Sequence, residues 1–370
     1  MNRDPGLASW LQLSLTPGLG ASTVRSLLKR FGLPEAALAR QRSELASFLP
    51  PAALEALHSS GVRDAVERAL EWAAADDHFV ITLADETYPR ALLEIADPPP
   101  LLYAHGRVPL LRQAALAVVG SRNASAQGES NAEHFATALS AAGLTIVSGL
   151  ALGIDAAAHR GGLAGGGSTL AVLGTGIDVV YPTRNAELAA EIALRGLLVS
   201  EFPLGTPAIA HNFPRRNRLI SGLARGCLVI EAAVASGSLI TARCAADQGR
   251  EVFAIPGSIH SPLSKGCHAL IKSGAKLVES AEDVLAELAG FRPSGYASTA
   301  ASATANAAQA DSGLLAVMGH DPVDVDSLCA RAGLSAEQVA SELLRLELAG
   351  RVTALPGGLY QRLEKAQRGR

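Results

Sequence analysis

Residues 115–159 read ALAVVGSRNASAQGESNAEHFATALSAAGLTIVSGLALGIDAAAH. The run Ala115–Gly120 is apolar without alternation, as in a strand buried on both faces. A helical stretch follows from about Gln127 to Ala142, then a second apolar run, LTIVSG, and a second helix starting near Asp155. The pattern continues outward. STLAVLG (168–174), GLLVSE (196–201), CLVIEAA (227–233) and EVFAIPG (251–257) are further buried strands. Helices are expected at 186–195, 214–224 and 238–248 between them. Unalternating strands joined by helices imply a mostly parallel sheet covered on both sides, and right-handed crossovers make it a doubly wound, Rossmann-like α/β fold. The uncharged stretch Phe135–Ile154 is long enough to suggest a membrane span. Gly143, Ser148, Gly149 and Gly153 instead divide it into helix, turn, strand and loop, so no span is expected.

The flanks differ in composition. Residues 1–75 read as a helical domain. Within it SLTPGLGASTVRSLLKRFG (14–32) resembles a helix-hairpin-helix element; a helix-capping turn in a small helical domain fits equally well. Leu45, Leu54, Leu57, Val66 and Leu70 are the expected apolar faces. Residues 76–289 hold the Rossmann-like domain. Residues 290–312 are small and polar and read as a linker. In 313–370, helix, turn, a longer helix capped by Ser335 and two strands around Pro356-Gly357-Gly358 make a winged-helix plan. Its longer helix carries Glu337, Glu342 and Glu347 against Arg345, which favours a protein partner or a structural role over DNA.

The totals narrow the function. A chain of 370 residues suits two or three domains, and its net charge of −3 means that nucleic acid would have to meet a local patch rather than a global field. The four cysteines are scattered with no CxxC pair, which disfavours zinc and disulfides. The N-terminal MNRDPGLASW lacks the pattern of a signal peptide, so a cytoplasmic protein is expected. No cofactor is expected, because GxxxxGK[ST], a GxGxxG after the first strand, HExxH and GxSxG are all missing.

The local patch is HNFPRRNRLISGLARG (211–226). Arg215, Arg216 and Arg218 surround Asn217 at a helix start, and Pro214 suits a first helical turn. Free helix N–H groups beside guanidinium charges suit a phosphate. Ligands of open α/β sheets bind beyond the strand carboxyl ends. There lie Gly120-Ser121-Arg122, the 148–159 loop with Asp155 as expected N-cap, Tyr181 and Arg184, and Ser236-Gly237-Ser238. Phe213 is the candidate base-stacking platform. His159 is expected on a helix surface. Asp155 and Glu231 have structural hydrogen bonding as their safer role.

These motifs resemble the DNA-processing protein A (DprA, also called Smf) family, over about Tyr88–Leu285. The resemblance rests on GSR (120–122), SGLALGIDAAAH (148–159), GTGIDVVYP (174–182), FPRRNRLISGL (213–223), EAAVASGSLITA (231–242) and GCHALIKSGA (266–275). It implies a homodimeric single-stranded DNA binder that protects incoming strands in natural transformation and loads the RecA recombinase on them, without catalysis. It also implies that Arg122 and Arg215 line the DNA pocket. Ala235 stands where some members carry lysine, which puts a cation role there in doubt. The competing reading is an enzyme that cleaves the N-glycosidic bond of nucleotides, as related Rossmann proteins do through PGGxGTxxE. The corresponding region here, EAAVASGSLITA, lacks that glutamate pattern.

Overall fold

The computed structural model describes residues 6–288, 313–319 and 321–363, so the expected linker at 290–312 lies outside the described residues. Nine strands form one sheet in the order β1-β2-β6-β5-β4-β3-β7-β8-β9. They are β1 (His78–Thr82), β2 (Leu101–Gly106), β3 (Ala115–Val119), β4 (Thr145–Ser148), β5 (Thr169–Val172), β6 (Leu197–Ser200), β7 (Gly226–Val229), β8 (Glu251–Ala254) and β9 (Lys276–Leu277). Strands β3 to β9 run parallel; β2 pairs antiparallel with β6, and β1 with β2. From β3 the chain winds one way through β4, β5 and β6. It then returns to the other side of β3 for β7, β8 and β9, so the strand order reverses between β3 and β7.

The apolar runs behave as two-faced strands must. Along β3, Ala115, Ala117 and Val119 enter one core while Leu116 and Val118 enter the other. The layers are closed by α7 (Arg90–Leu93), α8 (Ala126–Ala141), α9 (Ile154–Ala164), α10 (Ala186–Arg195), α11 (Asn212–Gly222), α12 (Ser238–Asp247), α13 (Lys265–Lys272) and α14 (Ala281–Glu287). The short β9 and the helices beside it were not legible as separate elements, because β9 is two exposed residues.

Ahead of the sheet come α1 (Leu7–Leu15), α2 (Ala21–Phe31), α3 (Pro34–Leu38), α4 (Arg42–Leu45), α5 (Pro51–Ala56) and α6 (Ser60–Trp72). Leu13, Val24, Leu27, Leu45, Leu54 and Leu57 form a core of their own. Leu7, Leu11 and Ala69, however, pack with Val80, Tyr103 and Ile192 of the sheet layer. That contact sets the phase of α6: Ala69 faces inward and Leu70, expected inside, is exposed. Arg25 of α2 pairs with Asp97 at 2.7 Å and donates to the Pro98 carbonyl at 2.7 Å.

The C-terminal unit has α15 (Leu314–Met318), β10 (Val323–Asp324), α16 (Val325–Ala332), α17 (Ala336–Leu348), β11 (Val352–Leu355) and β12 (Leu359–Arg362), with strand order β10-β12-β11. Ser335 caps α17 reciprocally with Gln338. Arg345, the basic residue on that helix, pairs with Glu342 at 2.5 Å. None of the described helices is long and apolar enough to cross a membrane.

Candidate nucleic-acid interface

The reversal of strand order opens a crevice at the carboxyl ends of β3 and β7. A cavity of about 660 Å³ occupies it. One wall is Gly120, Ser121, Arg122 and Asn123 after β3; the other is Ala233 and Ala235 to Ser238 after β7; α11 lays Phe213, Arg216 and Asn217 across it. The turn after β3 needs glycine, because a Cβ on Gly120 would lie 2.6 Å from Ile154 Cγ1 and 2.9 Å from the Glu231 carbonyl. Ser121 N–H donates to that same carbonyl at 2.8 Å. The Glu231 carboxylate accepts from Ser125 N–H at 2.9 Å and Ser125 Oγ at 2.6 Å, a structural role at the start of α8. On the far wall Ser236 and Ser238 hydroxyls bond each other at 2.7 Å, and Asn217 Nδ2 reaches the Gly237 carbonyl at 3.3 Å.

The loop after β4 is held from below. Helix α9 starts at Ile154, with Gly153 (φ +70°) at its cap position, so Asp155 is not the N-cap expected. Its carboxylate turns back and accepts from Gly149 N–H at 3.1 Å and Ala151 N–H at 3.3 Å. His159, expected on a helix surface, is fully buried because α9 packs against both α8 and strands β3 to β5. Its Nε2 accepts from Leu150 N–H at 3.2 Å, and its Nδ1 lies 2.7 Å from Thr169 Oγ1. Thr169 Oγ1 donates onward to the Ile146 carbonyl, so Nδ1 carries the proton and the ring is neutral. Burial and the Arg216 and Arg160 charges drive the His159 pKa down to about 3. Asn185 Nδ2 ties down the Leu150 and Ala151 carbonyls. This network holds Leu150 at φ +58°, a rare conformation for a branched residue. It also uses the N–H groups of residues 149–151, which are therefore not free to bind an anion.

The arginines divide. Arg122 is exposed and its guanidinium carbon sits 5.6 Å from the Phe213 ring centroid. Phe213 packs against Gly174, where a Cβ would approach its ring to 2.7 Å, and meets the Tyr181 ring at 5.6 Å. Arg216 is not a surface cation. It is 4% exposed, and its Nη1 donates to the Gly149 carbonyl at 2.8 Å and to the Val172 carbonyl. Burial lowers its pKa to about 10, opposed by the Asp155 carboxylate. Burial raises the Asp155 pKa, opposed first by Arg216.

Arg215 and Arg218 leave α11 on its other side, about 200° around from Phe213 in the case of Arg215. Both pair with Glu201, at 3.2 Å and 2.5 Å, and the Arg215 guanidinium also lies over the Phe202 ring at 5.5 Å. The cavity that holds Arg122 therefore takes in Gly120, Ser121, Phe213, Arg216, Asn217, Ser236, Gly237 and Ser238, but neither Arg215 nor Arg218. A charge run in sequence carries no record of helix phase until the register of α11 on the sheet is known. Glu201 was not singled out in the sequence; a glutamate directly after a buried strand and 14 residues before an arginine pair was the available signal. A cavity of about 700 Å³ lies at the opposite ends of β3, β7 and β8. It mixes both charge signs, with Arg250 paired to Glu94 at 2.7 Å, and it lies away from the strand carboxyl ends.

Residues 79–289 match the model of the DNA recombination-mediator protein A family. The chain belongs to this family. Residues 298–358 match the DprA winged helix domain. Protein Smf of Escherichia coli is 46% identical over 310 residues, 82% of each chain. The structure of DNA processing protein A from Streptococcus pneumoniae is similar with a TM-score of 0.67 at 38% identity, covering 78% of this chain and 99% of that one. That of Helicobacter pylori DNA processing protein A, described for its single-stranded DNA binding mode, has a TM-score of 0.52 at 30% identity and covers 56% of this chain and 95% of that one. The expected resemblance and the α/β fold with its winged-helix unit are thus shown. The matched family region contains every residue that lines the crevice.

Proposed function

We propose that this protein binds single-stranded DNA in the crevice between β3 and β7, and acts there as a non-catalytic recombination mediator. The observation that carries this reading is the Arg122–Phe213–Tyr181 assembly: an exposed cation over one ring with a second ring beside it. A single strand needs a cation for its phosphates and an aromatic face for its unstacked bases. The single-strand binding described for the Helicobacter pylori relative supports the same reading. Asp155, the carboxylate among the residues lining the crevice, and Glu231, whose carboxylate holds the start of α8, are both engaged with backbone groups, which supports binding over glycosidic cleavage. Protection of incoming strands during transformation, loading of RecA, a homodimer and a cytoplasmic site of action complete the proposal.

The test is a salt titration of oligonucleotide binding, with a duplex of equal length as competitor. Arg122→Ala should weaken binding to all sequences and shift the log–log salt slope by about 0.7. Phe213→Ala should weaken binding roughly ten-fold with the slope unchanged, because stacking releases no counterions. Wild-type affinity in both variants, or equal competition by duplex, would sink the assignment. RecA loading is tested by strand-exchange assays with and without the protein.

A further inference from the structure

Three parts of the N-terminal helical region converge on Phe31, at the end of α2. Arg30, beside it, places its guanidinium carbon 5.9 Å from the ring centroid, and Arg40, from the turn between α3 and α4, places its own at 5.5 Å. Phe48, after α4, meets the same ring edge to face at 5.3 Å and is itself 36% exposed. Lys29, Arg30 and Arg40 are exposed and make no ion pair among the described residues. The charges of this region are sorted along the chain. Residues 25–42 hold five basic residues and one acidic, whereas residues 55–71 hold four acidic and two basic. The helix dipole accounts for Lys29 and Arg30 in the last turn of α2. It does not account for Arg40, which reaches the same ring from another turn, nor for the solvent-facing phenylalanine beside it.

The chemistry of this patch selects the ligand. Cations without carboxylate partners hold counterions that a polyanion displaces. An exposed ring among them suits an unstacked base. A duplex, whose bases stack on each other, uses only the charges; a single strand uses both. We propose that Lys29, Arg30, Arg40 and Phe48 form a second contact surface for single-stranded DNA, separate from the crevice. Phe31 holds the two guanidiniums in place by cation–π attraction. Lys29, Arg30 and Arg40 take phosphates, and Phe48 takes a base. The patch lies on the path of a strand that leaves the crevice over α11. Arg25 of α2 pairs with Asp97 at 2.7 Å, and Asp97 pairs with Arg218 of α11 at 3.6 Å. Arg215 and the α1–α2 turn wall one cavity of about 310 Å³. Helix α2 thus starts beside the Arg215 side of α11, and from Arg25 it rises about 9 Å to Phe31.

The inference rests on the single-strand reading above, and the experiment separates the two. Labelled dT oligonucleotides of increasing length are titrated onto the full-length protein by fluorescence anisotropy, at several salt concentrations. The variants are Arg30→Gln/Arg40→Gln, which removes charge from two exposed side chains, Phe48→Ala, and Arg122→Ala in the crevice. On the shortest strands that bind, both patch variants should match wild type, while Arg122→Ala is weaker at every length. On longer strands Arg30→Gln/Arg40→Gln should bind roughly ten-fold more weakly, with the log–log salt slope reduced by about 1.4 for two lost contacts. Phe48→Ala should lose a similar factor with the slope unchanged. Should Phe48→Ala melt lower than wild type, the glutamine variant alone decides. Wild-type binding by the patch variants at every length, with Arg122→Ala weakened, would overturn this inference and leave the crevice standing. Equal loss at all lengths would overturn the second surface, because the patch would then belong to the first. Length-dependent loss in the patch variants with none in Arg122→Ala would leave the patch and remove the crevice. The same loss measured on duplex of equal length would assign the patch to duplex and overturn the single-strand route.

Discussion

Arg122 and Arg216 lie on the same cavity and do opposite work. Arg122 reaches into solvent, while Arg216 is buried with its guanidinium on the Gly149 and Val172 carbonyls beside Asp155. Arg216→Ala would leave the Gly149 and Val172 carbonyls without this donor and remove the charge that opposes the burial of Asp155, a loss on the order of 1–3 kcal/mol for each buried group left unpaired. Thermal melts should show Arg216→Ala strongly destabilised and Arg122→Ala unchanged; similar melting of the two would refute the division. His159 makes a pH prediction. Its folded pKa of about 3 lies below the ordinary value of 6.5, so below pH 6.5 the unfolded chain takes up a proton that the folded chain refuses. Stability contributed by neutral His159 is therefore full above pH 6.5 and is lost as pH falls toward 3, at about 1.4 kcal/mol per pH unit. Asp155 and Glu201, whose pKa values burial raises, act in the other sense, favouring the fold as pH falls. Comparing wild type with His159→Gln isolates the histidine. The variant should lose less melting temperature between pH 7 and 5, and parallel curves would show that the ring does not carry this term.

At the scale of elements α11 decides the site. One face, Phe213, Arg216, Asn217 and Ile220, closes the crevice; the other, Arg215 and Arg218, meets Glu201. Arg215 and Arg122, which the sequence places in one pocket, therefore differ in availability. Glu201 already neutralises part of the Arg215 charge, so fewer counterions are held there for DNA to displace. Salt titrations should show a smaller slope change for Arg215→Ala than for Arg122→Ala. Equal changes would mean that the Glu201 pairs open on binding.

For the whole molecule, the cores set which parts stand or fall together. Leu7, Leu11 and Ala69 share a core with Val80, Tyr103 and Ile192, so the N-terminal helices are part of the sheet's cover. The described core of the C-terminal unit draws on residues from Leu314 to Tyr360. Deleting residues 1–75 should expose that shared face and lower the main melting transition by many degrees. Ending the chain after residue 288 should leave the transition nearly unchanged. Calorimetry on both truncations checks this; an unaffected transition in the first, or a collapsed one in the second, would contradict the packing.

The strand and helix alternation from Ala115 to Ala254, the winged-helix plan and the loops beyond the strand ends were all legible in the chain. Each depends on period and local chemistry: unalternating Val and Leu runs, glycines at tight turns, Ser335 and Gln338 at a helix start. What lay beyond the sequence was direction. His159, Asp155 and Arg216 look like surface or capping groups until α9 and α11 are seated on the sheet, when they become a buried network under the 149–151 loop. Arg215 and Phe213 are two residues apart, yet α11 sends them into different cavities. Such outcomes are set by the rotation of a helix about its axis, and that rotation is fixed by contacts with residues tens to a hundred or more positions away. Local pattern names the helix and its polar residues; only packing against the sheet decides which of them meets a ligand and which holds up the floor.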